Sequence, residues 1–280
     1  MNTTTMDIPS NRVRDVRRYC CERLSTIYDD SEAQTVVYRL FEGLLGWNKV
    51  QLLLQLDDTI NQSDLLRFYW AVQDLLRHRP IQYVVGYEWF CDCKIGVAEG
   101  VLIPRPETEE LVRRVIRDYQ DVNRQLRVLD LCTGSGCIAV ALARHLRCEH
   151  VAAVDLSDVA LQQAKKNADN NGVNVQFVKA DVLISNPPYV RQSESKSMRH
   201  NVLDYEPAEA LFVDDENPLL FYRAVARLAD RFLASKGTLY LEINEALANE
   251  IRQVVEHYNF STTLCQDFRG KDRFIIAKRS

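Results

Sequence analysis

The feature that most constrains this chain is a repeating pattern that begins at Arg127: a short apolar run, a break of small or polar residues, then an amphipathic helix. Arg127 to Leu131 reads as a strand. Gly136 to Leu146 then reads as a helix, with Ile138, Leu142 and Leu146 on one face. His150 to Asp155 is a second strand. Ser157 can cap a helix running to Asn170, which Asn171-Gly172 stops. Further on, the pattern predicts a helix from about Pro218 to Leu233, a strand from Gly237 to Ile243 and a helix from Ala246 to His257. Two final strands lie near Thr262 and Arg273. Strands alternating with helices in this way predict an α/β fold, a parallel sheet with helices on both faces.

One spacing conflicts with that plan. Val173 to Ala180 and Leu183 to Ser185 both read as buried strands, yet only Asp181 and Val182 separate them. Parallel neighbours need a crossover of about a dozen residues, and Asp-Val lacks the chemistry of a tight hairpin turn. A chain break near residues 182 and 183, with on the order of ten residues absent, is therefore expected.

The first 80 residues have a different texture. Val13, Val16, Cys20, Leu24 and Ile27 recur at helical steps. Ser31 with Gln34 forms a capping box for a second helix, which Gly46 ends. Leu52 to Leu56 and Leu65 to Leu76 give two more helical stretches, so residues 1–78 read as a small helical bundle. Tyr83 to Val85, Tyr87 to Cys93 and Lys94 to Val97 are β-branched and aromatic, punctuated by Gly86 and Gly96; residues 79–103 therefore read as a β-hairpin linker. Residues 104–280 form the α/β domain. Within it, residues 191–217 are polar and irregular, and a mobile loop is expected there.

Bulk properties narrow the function. The formal net charge is −4, whereas a protein that grips phosphate backbones carries a basic excess; direct nucleic-acid binding is not expected. No apolar run reaches the length of about 18 residues that spans a bilayer, and the N-terminus lacks the apolar centre of a signal peptide. A cytoplasmic protein is expected, with its eight cysteines reduced. Cys20-Cys21 and Cys91-x-Cys93 are not zinc spacings, so no metal is expected.

The strand at Arg127 ends in Asp130-Leu131-Cys132-Thr133-Gly134-Ser135-Gly136 and opens a helix. Small residues let backbone approach a ligand closely, and a helix start offers free N–H groups. The next strand ends in Asp155, an acidic residue about 20 positions further on, which can accept from both ribose hydroxyls of a nucleoside. The pattern lacks the third glycine of a dinucleotide fingerprint and any Walker lysine. Asp130 would repel a pyrophosphate but attract an ammonium or sulfonium group, which points to S-adenosylmethionine. A purely structural strand-to-helix turn is the competing reading.

Ser185-Asn186-Pro187-Pro188-Tyr189 follows a strand. Two prolines turn the chain out at the carboxyl edge of the sheet and hold it rigid. An amide or aromatic NH2 is a poor nucleophile because its lone pair is delocalised. The Asn186 side-chain oxygen can accept one of its hydrogens and the Pro187 carbonyl the other, which turns the nitrogen toward a methyl donor and favours the positive charge that develops on transfer. Tyr189 can stack on the flat group. The competing reading is a Pro-Pro turn with an incidental Asn.

These two motifs resemble those of class I methyltransferases that modify amide or exocyclic nitrogen, whose sheet is Rossmann-like. Arg79-Pro80-Ile81-Gln82-Tyr83-Val84-Val85-Gly86, Val101-Leu102-Ile103-Pro104-Arg105-Pro106-Glu107-Thr108-Glu109, Glu206-Pro207-Ala208-Glu209-Ala210-Leu211 and Asp272-Arg273-Phe274 resemble the release factor glutamine methyltransferases (PrmC/HemK). The resemblance implies methylation of the glutamine of a Gly-Gly-Gln tip in peptide chain release factors; a monomer is expected. It assigns Asp130, Cys132, Thr133, Gly134, Ser135, Gly136, Asp155 and Leu156 to the cofactor, puts Asp181 near the adenine, and gives Asn186, Pro187, Pro188 and Tyr189 the glutamine, with Asn186 touching both. Pro104 to Thr108 would help close the site or simply cap the following helix. Cys132 departs from the glycine common in that family. The helical bundle is expected to recognise the protein substrate. Two other readings stay open: a nucleic-acid exocyclic-amine methyltransferase, and a cofactor-binding module without catalysis.

Overall fold

The computed structural model describes residues 8–123, 125–155, 157–174 and 180–279, which divide into two compact units. The first comprises the described residues up to Tyr87 together with His200–Tyr205, and the second Glu88–Arg199 and Glu206 onward.

The first unit is helical: α1 (Val13–Leu24), α2 (Asp30–Leu45), α3 (Lys49–Leu54), α4 (Gln62–Leu76) and α5 (Ile81–Val85). The stripe Val13, Val16, Cys20 and Leu24 is buried, as its period predicts, and meets Val37, Leu40, Phe41, Phe68, Val72 and Leu75. Each fully buried side chain of this size contributes roughly 1.5–3 kcal/mol. The N-cap of α2 is Asp29, whose side chain accepts from Ser31 and Glu32 N–H groups; the expected Ser31 cap is corrected, since a carboxylate two residues earlier opens the helix sooner and takes the orphan donors of its first turn. Gly46 ends α2 in the left-handed conformation, φ 73°. Tyr83 to Val85 belong to a helix and not to a strand; Gly86, φ 83°, closes it.

A hairpin of β1 (Tyr87–Phe90) and β2 (Cys93–Gly96) follows, all of it but Tyr87 in the second unit. The two residues between them, Cys91 and Asp92, have φ of 45° and 61°, the sign that a tight hairpin turn requires at both positions. After α6 (Pro106–Tyr119) come β3 (Leu126–Leu131), α7 (Cys137–His145), β4 (Cys148–Val154), α8 (Asp158–Asn171) and β5 (Ala180–Ser185). The expected loop at 191–217 is built of short elements: β6 (Val190–Arg191), α9 (His200–Leu203, which belongs to the first unit), α10 (Ala208–Leu211) and β7 (Phe212–Val213), with β6 and β7 paired in parallel. The chain ends with α11 (Leu220–Phe232), β8 (Leu233–Glu242), α12 (Ala248–Glu256), β9 (Phe260–Gln266) and β10 (Asp272–Arg279). Among the described residues no helix is long and apolar enough to cross a membrane.

The main sheet has the order β4-β3-β5-β8-β10-β9. The first four strands are parallel and β10 is antiparallel to both neighbours, so the sheet is mixed where a parallel one is predicted: the last two strands are joined by a hairpin with no helix between them. Side chains alternate by face. Val128, Val182, Ile184, Tyr240, Phe274 and Ile276 pack with α6 and α7, while Leu129, Leu131, Leu183, Leu239, Leu241 and Ile275 pack with α11 and α12. Helices thus cover both faces.

The expected break after Asp181 does not occur. Val182, Leu183, Ile184 and Ser185 pair in unbroken register with Val128 to Leu131 on one side and with Thr238 to Leu241 on the other. Asp181 and Val182 lie inside one strand, so no crossover is needed between them. Of the strand predicted over 173–180, Val173 and Asn174 are not extended ladder, and residues 175–179 lie outside the described residues.

Candidate functional site

The turn between β3 and α7 is bent by three left-handed residues in close succession: Cys132 (φ 62°), Gly134 (φ 54°) and Gly136 (φ 79°). Glycine takes this conformation without the clash that costs other residues about 1–2 kcal/mol, and Cys132, which stands where the resemblance expects glycine, bears that cost. Gly136 has a second reason. A Cβ placed there would lie 2.9 Å from Ala164 Cβ and 3.0 Å from Ala164 Cα, so only glycine lets the start of α7 pack on α8. At Gly134 a Cβ would meet no atom within 4 Å. The space beside it is open.

Asp155 leaves β4 beside this turn. Its Oδ2 accepts from the Gly134 N–H at 2.8 Å and its Oδ1 from the Ser157 N–H at 2.9 Å. Each oxygen keeps a further lone pair, so the carboxylate can still accept from a pair of hydroxyls. Ser157 also caps α8. Leu156 lies outside the described residues.

Asp130 is fully buried. Its Oδ2 accepts from Thr133 Oγ1 at 2.6 Å and from the Ala139 N–H at 3.2 Å, bracing the turn and the first turn of α7, while Oδ1 has no partner among the described residues. Burial pushes the carboxyl up to about 7, against the pull of those two hydrogen bonds. Burial likewise pushes the Cys132 thiol up to about 12, so it is a neutral thiol at physiological pH and no nucleophile.

A cavity of about 200 Å³ opens over this turn. Its walls include Cys132, Gly134, Asp155, Asn186, Pro188 and Phe221. A narrower recess of about 30 Å³ adjoins it between Pro104–Thr108 and the glycine turn, with Thr108 and Asn186 in its lining. A larger hollow of about 270 Å³ lies between α7 and α8, lined mainly by residues such as Ala139, Val140, Leu161 and Ala164; converging acceptors and donors of the kind that orient a ligand are found in the first cavity instead.

Asn186 sits at the end of β5, at the carboxyl edge of the sheet, and its Nδ2 donates to Thr108 Oγ1 at 2.8 Å. Pro187 and Pro188 are buried, but only Pro188 contributes to the cavity wall. Tyr189 is anchored elsewhere. Its hydroxyl donates to Glu242 Oε1 at 2.9 Å, its ring packs beside the core on the α11–α12 face, and its carbonyl accepts from Asn244 Nδ2 at 3.0 Å. The structure does not bring its ring into the cavity lining. Burial and the Glu242 charge push its phenol well above the ordinary range.

Asp181 is not in the lining either. It lies at the start of β5, roughly 16 Å along the strand from Asn186 at 3.3 Å per residue, and its carboxylate accepts from the Arg127 N–H at 3.1 Å and from Arg127 Nε at 3.3 Å.

Three contributors were not legible as such. Thr108, read as part of a stretch that helps close the site or caps the following helix, donates to Glu242 Oε2 at 2.7 Å. Glu242 is 1% exposed; burial pushes its carboxyl up, opposed by the Thr108 and Tyr189 hydroxyls and by Arg273. The available signal was a lone acid inside the apolar run Leu239 to Ile243. Glu206 accepts from Arg105 Nη2 at 2.6 Å and from the Ile103 N–H at 3.3 Å, so the Glu-Pro-Ala segment ties down the Pro-Arg-Pro stretch. Pro106 occupies the first turn of α6, where its missing N–H costs nothing; this stretch both starts the helix and lines the recess.

A family model described as the PrmC N-terminal domain matches residues 15–86, and one described as a methyltransferase domain matches residues 128–196. The chain is 40% identical to the release factor glutamine methyltransferase of Flavobacterium psychrophilum, over 94% of this chain and 98% of that protein. It is 36% identical to the protein of the same name from Bacteroides thetaiotaomicron, over 94% and 99%, and 34% identical to that of Lactococcus lactis, over 92% and 98%. Identity at this level along nearly the full length of each relative, with the glycine turn and the Asn-Pro-Pro-Tyr segment set at one sheet edge, means that the chain belongs to the release factor glutamine methyltransferase family.

Proposed function

We propose that this protein transfers a methyl group from S-adenosylmethionine to the side-chain amide nitrogen of a glutamine in peptide chain release factors, in the cytoplasm. The observation that carries the reading is that Asn186 lies in the wall of the same cavity as Gly134 and Asp155, with its NH2 already committed to Thr108. The end of the side chain left for a substrate is therefore the oxygen, an acceptor for an N–H. The names of the curated relatives support release factors as the substrate.

The residues fit the cofactor. The open space at Gly134 accepts a ligand against the backbone, and the Asp155 carboxylate suits the two hydroxyls of a ribose. S-adenosylmethionine, when bound, supplies a methyl carbon on a sulfonium. Asn186 holds one hydrogen of the substrate amide and keeps its plane fixed, which turns the nitrogen lone pair toward that carbon. The rigid Pro187-Pro188 turn prevents the acceptor from following thermal motion of the loop. As the nitrogen becomes positive, the hydrogen bond to Asn186 strengthens, which is a transition-state contribution and not a uniform one. No base of shifted pKa is required before transfer, because the proton leaves afterwards.

The test is mass spectrometry of a release factor incubated with the protein and S-adenosylmethionine. A gain of one methyl mapped to the glutamine of its Gly-Gly-Gln sequence is expected. Methyl appearing only in RNA or DNA added to the same reaction would overturn the reading.

A further inference from the structure

Resting on the reading of Asn186 as the acceptor for the substrate amide, we propose that Glu242 and Thr108 are positioning residues that dictate which end of the Asn186 amide faces the cavity. An asparagine side chain is nearly symmetric in shape, with an oxygen at one end and an NH2 at the other. Packing cannot tell the two ends apart; only hydrogen-bond polarity can. Toward a substrate NH2 the oxygen is productive, and the NH2 sets donor against donor.

The polarity is set by a chain of three side chains from three elements. Glu242, at the end of β8, accepts the Tyr189 hydroxyl at 2.9 Å on one carboxylate oxygen and the Thr108 hydroxyl at 2.7 Å on the other. A carboxylate only accepts, so the single proton of Thr108 Oγ1 is spent on Glu242. Oγ1 can then only accept. The group 2.8 Å away on Asn186 is consequently the NH2, and its oxygen is turned the other way. Arg273, whose side chain is 15% exposed and ion-paired with Asp267 at 3.1 Å, supplies positive charge that favours the ionised form of Glu242. One buried negative charge thus fixes, through a hydroxyl, the orientation of an amide that it does not touch.

Glu242→Gln makes the argument testable, because it keeps shape and removes the acceptor-only character. A carboxamide can donate to Thr108, which frees the Thr108 proton for Asn186 and lets that amide flip. We expect turnover of release factor to fall on the order of 10-fold to 100-fold, the scale of one or two mis-set hydrogen bonds, with S-adenosylmethionine affinity by calorimetry unchanged. Thr108→Val should lower kcat about 10-fold and Thr108→Ser should restore it. Adding Glu242→Gln to Thr108→Val should cost much less than it does in the wild type, because the hydroxyl that transmits polarity is already gone. Independent, multiplying losses would overturn the proposal, as would a Thr108→Ser variant as impaired as Thr108→Val, or losses confined to KM. Should Glu242→Gln fail to fold, the Thr108 pair decides alone, since neither variant alters the buried carboxylate. Wild-type enzyme in the same assay separates the two levels: no methylation of release factor by the wild type rejects the proposed function, whereas a working wild type with the wrong variant pattern rejects only the positioning role.

Discussion

Gly134 and Gly136 lie two residues apart in one turn, yet substituting alanine at each should damage different properties. At Gly136 the left-handed backbone costs about 1–2 kcal/mol for a residue with a Cβ. The new carbon would also sit 2.9 Å from Ala164 Cβ and 3.0 Å from its Cα. Neither atom can swing away, because both belong to the body of α8, and forced overpacking of this kind costs about 1–3 kcal/mol. Gly136→Ala should therefore lose about 2–5 kcal/mol, or roughly 4–20 °C in Tm at 2–4 °C per kcal/mol. Gly134→Ala carries only the backbone cost of about 1–2 kcal/mol, since nothing lies within 4 Å of its Cβ. That open space is the proposed cofactor cradle, so this variant should bind S-adenosylmethionine more weakly while losing only roughly 2–8 °C in Tm at 2–4 °C per kcal/mol, less than Gly136→Ala. Urea unfolding followed by circular dichroism, with calorimetric cofactor titration on both variants, separates the two effects. Equal destabilisation of the two, or a Gly134→Ala protein with unaltered cofactor affinity, would refute the assignment of one glycine to packing and the other to the ligand.

Asn186→Ala should keep S-adenosylmethionine binding but lower kcat for release factor by about 100-fold, the scale of losing one charge-stabilising contact; radiolabel transfer under saturating substrate measures it. Asp130 should make stability depend on pH. Its folded pKa of about 7 lies above the ordinary aspartate value of 3.8, so its contribution is fully present below about pH 4 and is lost as pH rises through about 7. Asp130→Asn should flatten that part of the stability profile between pH 4 and 7, and denaturant titrations at several pH values compare the slopes. Removing residues 1–78 should raise KM for release factor and leave S-adenosylmethionine affinity unchanged, which steady-state kinetics and calorimetry on the truncated protein check.

The sequence by itself determined the α/β alternation, the glycine turn after β3, the acid after β4 and the Asn-Pro-Pro-Tyr segment after β5, because each is written as a local rule. A period of two or of 3.6 names an element. A glycine marks a place where the backbone can turn left-handed without strain, and two adjacent prolines end a strand. The sequence misread places where tertiary pairing outranks local pattern. Asp181-Val182 looked like a gap between strands, but ladders to β3 and β8 on both sides make it the interior of one. Tyr83 to Val85 have strand propensity and are helical. Tyr189 looked like a platform for the substrate, and its hydroxyl is held by Glu242. What only the tertiary structure decided is the company each site residue keeps. Thr108, Asn186 and Glu242 come from three separate elements, and no spacing along the chain encodes that they share hydrogen bonds. The polarity of a buried network is a property of which donors meet which acceptors in space, and the folded sheet edge alone specifies that.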